Sequence, residues 1–261
     1  MARPLPDVLR CDWPAGAAEP PAATLAALDR AAEVLRRGGR VAIPTETVYG
    51  LAADALDEFA VDGIFRAKGR PATNPLIVHV ADVAMARSLA GSWPAAADRL
   101  AAALWPGPLT LVVPRGRDVP EIVTAGGPTV ALRCPEHRLA RLLIARSGIP
   151  LAAPSANRSE RVSPTTAHHV LEGLGNRVDL ILDGGPCAKG IESTVVDCTA
   201  VPPRILRPGP LGRDVLEAAL GGPVAGPEPA AASPPSEPAR SPGAQSRHYA
   251  PRTPLDLRAD A

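Results

Sequence analysis

The sequence predicts an α/β protein built on a mixed sheet. Three observations carry that reading. Short runs rich in Val, Ile and Leu alternate with stretches whose apolar residues recur at helical spacing. Some of these runs, such as "LTLVVP" and "TVALRC", follow one another with only a Gly/Pro loop between them, so the sheet is not purely parallel. A chain of 261 residues with 46% hydrophobic content can enclose a sizeable core. Leu, Val, Ile and Ala must fill it, because aromatic residues make up only 3%.

Taken in order, "TLAALDRAAEVLRRGGR" reads as a helix with Leu25, Leu28, Ala32 and Leu35 on one stripe and Gly38–Gly39 as its stop. A strand follows at 41–43, and "EFAVDGIFRAKG" suits a second helix ending near Lys68. "PLIVHV" (75–80) is β-branched and reads as a strand. Helical patterns cover roughly 82–90 and 95–104. "LTLVVP" and "TVALRC" are strands, "HRLARLLIARSG" an amphipathic helix and "PLAAP" a short strand. "SPTTAHHVLEGLG" reads as a helix with Ser163 as its N-cap and Pro164 in its first turn. "LILDGG", "STVVDC" and "RILRPG" are three further strands, and "RDVLEAALGG" closes the domain as a helix near residue 221. Residues 222–246, rich in Pro, Ala, Ser and Gly, read as an extended linker.

Several function classes are disfavoured at this level. The net charge of +1 provides no global field for nucleic acid or membrane. Cys11, Cys134, Cys187 and Cys198 form no CxxC pair and sit at no zinc spacing, so a protein-held metal is not expected. Reduced thiols, an N-terminus without the apolar core of a signal peptide, and no apolar run of about eighteen residues point to a cytoplasmic protein without a membrane span. GxxxxGK[ST], GxGxxG and HExxH are all absent.

The chemistry-bearing residues collect at strand ends. "AIPTETVYGL" delivers Thr45, Glu46, Thr47 and Tyr49 to one turn after an apolar run, as a pocket floor or a solvated loop would. Lys68 and Arg70 flank Gly69 in a Gly/Pro turn, with Asn74 and His79 downstream. Two cations there suit phosphate or carboxylate recognition, although a solvated helix end facing its own dipole would look the same. Arg133 ends the strand that begins at Thr129, and ligands of α/β sheets bind at strand ends. "PSANRSERVSPT" supplies Ser155, Asn157 and Ser163, the last at a helix start that suits an anion. "GIESTVVD" adds Glu192, Ser193 and Thr194, and "RILRPG" adds Arg207. No Ser/His/Asp order suggests a triad, and His168 and His169 fall in a predicted helix. The inventory of cations, hydroxyls and one amide suits a polyphosphate and a small carboxylate.

The ordered set "PTETVYGL", "KGRPATNPLIVHV", "WPGPLTLVV", "TVALRCP", "PSAN", "SPT", "ESTVVD" and "RILRPG" resembles the YrdC-like threonylcarbamoyladenylate synthase family, over about residues 25–212. The resemblance implies a twisted mixed α/β sheet with flanking helices and a basic concave pocket. It implies a nucleotidyltransferase joining L-threonine, bicarbonate and ATP into threonylcarbamoyl-AMP and pyrophosphate. That product feeds the N6-threonylcarbamoyl modification of adenosine 37 in tRNA through a downstream transferase machinery. By matching position, Thr47, His79, Arg133 and Ser193 would hold threonine, Arg133 through its carboxylate. Lys68, Arg70, Asn74, Thr129, Ser155, Asn157, Ser163 and Arg207 would surround ATP, with Lys68 and Arg70 the catalytic cations and Mg²⁺ bridging the phosphates.

"SPGAQSRHYAP" (241–251) further resembles the linker of the longer, two-domain members, although "AQS" departs from their usual pattern. The resemblance divides the chain into a catalytic domain at 1–221 and a linker and tail at 222–261, with the second domain expected to be missing. It also implies that Arg247, His248 and Tyr249 fold back over the pocket, Tyr249 toward the nucleotide; a remnant without function is the competing reading. The runner-up function is an RNA-binding module, or a related carbamoyl-transfer domain of the same fold. A weak RNA contact is the remaining partner expectation, but the aromatics that stack on single strands are nearly absent.

Overall fold

A computed structural model describes residues 4–227, and these form ten strands and eight α-helices. Tyr249 and the rest of the tail lie outside the described residues. Helix α1 (Ala22–Arg36) and strand β2 (Val41–Ile43) fall where the apolar pattern put them. α1 stops because Arg37 leaves helical geometry and Gly38 turns the chain with φ +76°. Helix α2 (Glu58–Lys68) is started by the Asp57 carboxylate, which accepts from the amides of Phe59 and Ala60. It is ended by Gly69 in the left-handed region.

The remaining elements follow the sequence reading with the same or shorter bounds. They are β4 (Ile77–His79), α3 (Val83–Ser88), α4 (Ala95–Leu104), β5 (Leu109–Pro114), β6 (Thr129–Arg133), α6 (Arg138–Ser147), β7 (Leu151–Ala152), α7 (Ala167–Leu174), β8 (Leu180–Asp183), β9 (Thr194–Asp197), β10 (Arg204–Arg207) and α8 (Arg213–Leu220). Three elements were not anticipated. β1 (Asp7–Arg10) is a short edge strand; β3 (Gly50–Asp54) is "GLAAD", poor in β-formers; α5 (Glu121–Thr124) is one turn after Pro120. β3 exists because β2 and β7 pair with it on either side, so tertiary context overrides propensity. The expected N-cap at Ser163 is corrected. α7 starts at Ala167, with the Thr166 hydroxyl accepting from the His169 amide.

The strands form one sheet in the order β1-β8-β2-β3-β7-β4-β6-β5-β9-β10. Parallel pairs (β1/β8, β8/β2, β4/β6, β5/β9) mix with antiparallel ones (β2/β3, β3/β7, β7/β4, β6/β5, β9/β10). The period of two sorts side chains to the faces: Ala42 and Ile181 pack with α2 and α7 on one side, Val41, Ile43, Leu180 and Leu182 with α1 and α6 on the other. Farther along that second face, the small cluster of Ile77, Val112, Ala131 and Val195 contains no helical residue. A cleft opens beside Ile77.

The connection from β8 to β9 spans seven strand spacings in the sheet order. On a flat sheet that is roughly 34 Å. Eleven residue steps reach about 38 Å only when fully extended. Gly185 and Gly190, both with positive φ, keep this segment from full extension, so the sheet must curl and bring its ends toward each other. Beyond α8 the Val224 amide donates to Glu217 and Ala225 bridges to Arg204, so the packed unit continues past the boundary expected at 221. No described helix is long and apolar enough to cross a membrane.

Candidate active site

The turn after β2 is folded by its own hydroxyls. Thr45 Oγ1 donates to the Val48 carbonyl (2.6 Å), accepts from the amides of Thr47 and Val48 (3.3 Å each) and meets Thr47 Oγ1 at 2.9 Å. Tyr49 is fully buried, and its hydroxyl donates to the Gly185 carbonyl (2.7 Å) and accepts from the Gly184 amide (3.3 Å). Burial, with the Asp183 charge behind it, pushes the phenol up from its ordinary value, so Tyr49 stays a neutral donor. The Lys189 and Gly190 amides donate to the carbonyls of Glu46 (2.8 Å) and Thr47 (3.0 Å). The 184–192 segment is thereby laid as a strap along the turn, and Thr45, Thr47, Glu192 and Ser193 come to face one cleft.

That cleft opens to solvent, and cleft and mouth together hold about 520 Å³ of space, open solvent included. Gly69, left-handed, swings Arg70 out of α2. Arg70 is then fixed by Nε on the Asn74 carbonyl (3.0 Å) and Nη2 on Asn74 Oδ1 and the Pro75 carbonyl (2.6 Å each). Arg207, at the end of β10, clamps Ser193 through its carbonyl (2.9 Å from Nη2) and its hydroxyl (3.2 Å), and Ser193 Oγ meets Thr110 Oγ1 at 2.7 Å. This clamp needs Gly209, because a Cβ there would sit 2.4 Å from the Thr194 amide nitrogen. Arg133, 4% exposed at the end of β6, pairs with Glu46 at 2.7 Å (Nη2 to Oε1), and its Nε meets the Gly107 carbonyl at 3.4 Å. Burial would raise Glu46, but the charge and hydrogen bond of Arg133, helped by backbone N–H groups, outweigh it and hold the carboxylate below its ordinary range. His79, beside Arg133 in the β4/β6 register, is pushed down to about 3 by burial first and the Arg133 charge second. It is neutral at pH 7, and its Nδ1 has no partner among the described residues.

The structure brings Thr47, Arg70, His79, Arg133, Ser155, Ser193 and Arg207 together around the cleft. Five other expected residues do not line it. Lys68 is the last residue of α2, 2% exposed rather than in a polar loop. Its Nζ donates to the carbonyls of Ser155 and Asn157, at 2.5 Å each. Burial drives its amine well below the ordinary lysine value; the Arg70 charge adds to this and Glu192 opposes it. Asn74 is buried behind Arg70, and Thr129 sits at the opposite end of β6 from Arg133. Asn157 donates to the Arg158 and Arg161 carbonyls and keeps Oδ1 buried without a partner among the described residues. Ser163 donates to Glu192 Oε1 at 2.5 Å. Sequence reasoning placed Thr45 and Glu46 in a candidate pocket floor and Glu192 at a polar strand end, but assigned none of them a ligand contact. Their type and place in polar strand-end motifs were the available signal, but the partners of Glu46 and Glu192, Arg133 and Ser163, lie far away in the chain.

The chain resembles known proteins throughout this region. The model of the Sua5/YciO/YrdC family, described as "Telomere recombination", matches residues 33–209. The threonylcarbamoyl-AMP synthase of Pyrococcus abyssi is 50% identical over 221 residues, covering 85% of this chain and 64% of that protein. The Bacillus subtilis protein of the same name is 48% identical over 229 residues, covering 87% and 65%. The chain thus spans just under two thirds of the length of these curated relatives. The crystal structure of P. abyssi Sua5 complexed with L-threonine superposes with a TM-score of 0.83 at 45% identity, covering 94% of this chain and 68% of that one. With the family model spanning well over half of its length, the chain belongs to the Sua5/YciO/YrdC family.

Proposed function

We propose that this chain is an L-threonylcarbamoyladenylate synthase. One observation carries the reading: a single cleft is lined both by Thr47, His79, Arg133 and Ser193, which we assign to the amino acid, and by Arg70, Ser155 and Arg207, which we assign to the phosphates. The P. abyssi relative bound to L-threonine, and two relatives bearing the synthase name, support the choice of threonine and ATP.

In this reading Arg133 takes the threonine carboxylate on the end of its guanidinium fork. Ile77, an apolar residue lining the cleft, is the candidate contact for the threonine methyl. The amine combines with bicarbonate, losing water, to give a carbamate. A carbamate oxygen then attacks the α-phosphorus of ATP, the bond to the β-phosphate oxygen breaks, and pyrophosphate leaves. Arg70 and Arg207 stabilise the charge that develops on the phosphates, and no protein nucleophile takes part. Magnesium, if brought by the triphosphate, would supply further charge neutralisation on the phosphates. Among the described residues no three His, Cys, Asp or Glu side chains form a metal cluster, and Glu192 is the carboxylate lining the cleft. That donor set fits an ion held chiefly by phosphate oxygens. Lys68, Asn74, Asn157 and Ser163 act on the nucleotide end from behind, by holding the Ser155 loop, Arg70 and Glu192. The product would pass to a transferase acting on tRNA, in the cytoplasm.

The test is pyrophosphate release by the full chain with ATP, L-threonine and bicarbonate, with mass spectrometry of the adenylate. L-serine should turn over less well, since losing one methyl contact costs roughly 1 kcal/mol. Equal pyrophosphate release without any amino acid overturns the reading.

A further inference from the structure

We infer that Glu46 is a positioning residue for amino-acid capture: it holds the Arg133 guanidinium so that the end of its fork faces the cleft. The inference rests on the assignment of Arg133 to the substrate carboxylate.

Arg133 and Glu46 are 5% and 6% exposed at their side chains and meet at 2.7 Å, although 87 residues separate them. The bonds to Gly107 and Glu46 use Nε and one proton of Nη2. The two protons of Nη1 and the second of Nη2 are left, three donors of which a carboxylate needs two, for a ligand at the cleft that Arg133 lines. A cation this deep needs a permanent counter-ion, because a side chain only 5% exposed is poorly solvated by water. Glu46 supplies one from behind. It is also itself fixed, since its carbonyl accepts from the Lys189 amide of the strap (2.8 Å).

The arrangement has a consequence for recognition. With Glu46 already beside it, Arg133 presents little net charge to an incoming anion. The grip then depends on the direction of its N–H groups rather than on long-range attraction. A carboxylate that cannot meet the fork end-on gains little, so an α-amino acid held by Thr47 and Ser193 is favoured over a free anion.

The experiment uses the full chain and compares Glu46→Ala and Glu46→Gln with the wild type. Pyrophosphate release is measured against threonine and against ATP, with thermal unfolding of each variant and calorimetric titration with L-threonine alone. Glu46→Ala should raise the threonine KM about tenfold or more while the ATP KM stays within about twofold. Glu46→Gln keeps an acceptor facing Nη2 and should restore the threonine KM to within about threefold of the wild type. An unchanged threonine KM in Glu46→Ala overturns the role of Glu46 and leaves the proposed function standing. So does a parallel rise in both KM values with an equal fall in Tm for both variants, which marks a merely structural residue. A wild type that releases no threonine-dependent pyrophosphate overturns the proposed function, and this inference with it.

Discussion

Replacing Lys68 by Met separates a brace from a phosphate contact. Methionine keeps the length and apolar stem but removes the amine that meets the Ser155 and Asn157 carbonyls at 2.5 Å. Burial holds that amine well below its ordinary value, and even a neutral amine has two N–H donors for these two acceptors. Each hydrogen bond is worth about 0.5–1.5 kcal/mol with an uncharged donor and about 1.5–3 with a charged one, so the loss lies between about 1 and about 6 kcal/mol. Removing the amine also removes its desolvation penalty, which offsets much of the upper end and leaves an expected loss of about 1–3 kcal/mol. Ser155 lines the cleft, so loosening its loop should also weaken ATP binding. Urea unfolding and calorimetric titration with ATP measure the two effects. Weak ATP binding with unchanged or increased stability would refute the brace and return Lys68 to direct phosphate contact. No change in either quantity would refute it outright.

Arg70→Ala should keep the fold and lower kcat/KM about 10- to 100-fold, the equivalent of one charge-assisted phosphate contact; pyrophosphate release with circular dichroism checks this. His79 should make the protein acid-sensitive. Its folded value of about 3 lies below the ordinary 6.5, so the unfolded chain binds the extra proton and stability falls as pH drops through that window. The slope should approach 1.4 kcal/mol per pH unit, and His79→Asn should flatten it in urea titrations at pH 5 and pH 7. Gly209→Ala should destabilise by about 1–3 kcal/mol, because the new methyl meets backbone at 192–194 that cannot retreat; a Tm equal to wild type would show that the RPG turn has slack.

What was legible in the sequence divides along a physical line. Strands such as Leu109–Pro114 and Thr194–Asp197 announced themselves, because β-branched runs bounded by Gly and Pro have few alternatives. Gly50–Asp54 did not, because its pairing with two neighbours, rather than its composition, makes it a strand. Ser163 carried a sound capping signal, yet its hydroxyl went to Glu192 and the cap to Thr166. The same limit governs the site. The chemistry of each strand end was readable as a residue type, but the partner of each group was not, since sheet order and curl decide it. Arg133 reads as a cation waiting for a carboxylate; in the fold it already has one, from Glu46. Lys68 reads as a second free cation and is instead spent on two carbonyls. Tyr49, which reads as part of a pocket, bonds the strap 136 residues away. A count of basic residues in the motifs therefore overstates the charge that a ligand meets. Arg70, Arg133 and Arg207 face the cleft already oriented by Asn74, Glu46 and Ser193. Their contribution is a rigid set of aimed N–H groups more than a strong field, and aimed donors are what the proposed reaction, which builds charge at one phosphorus, requires.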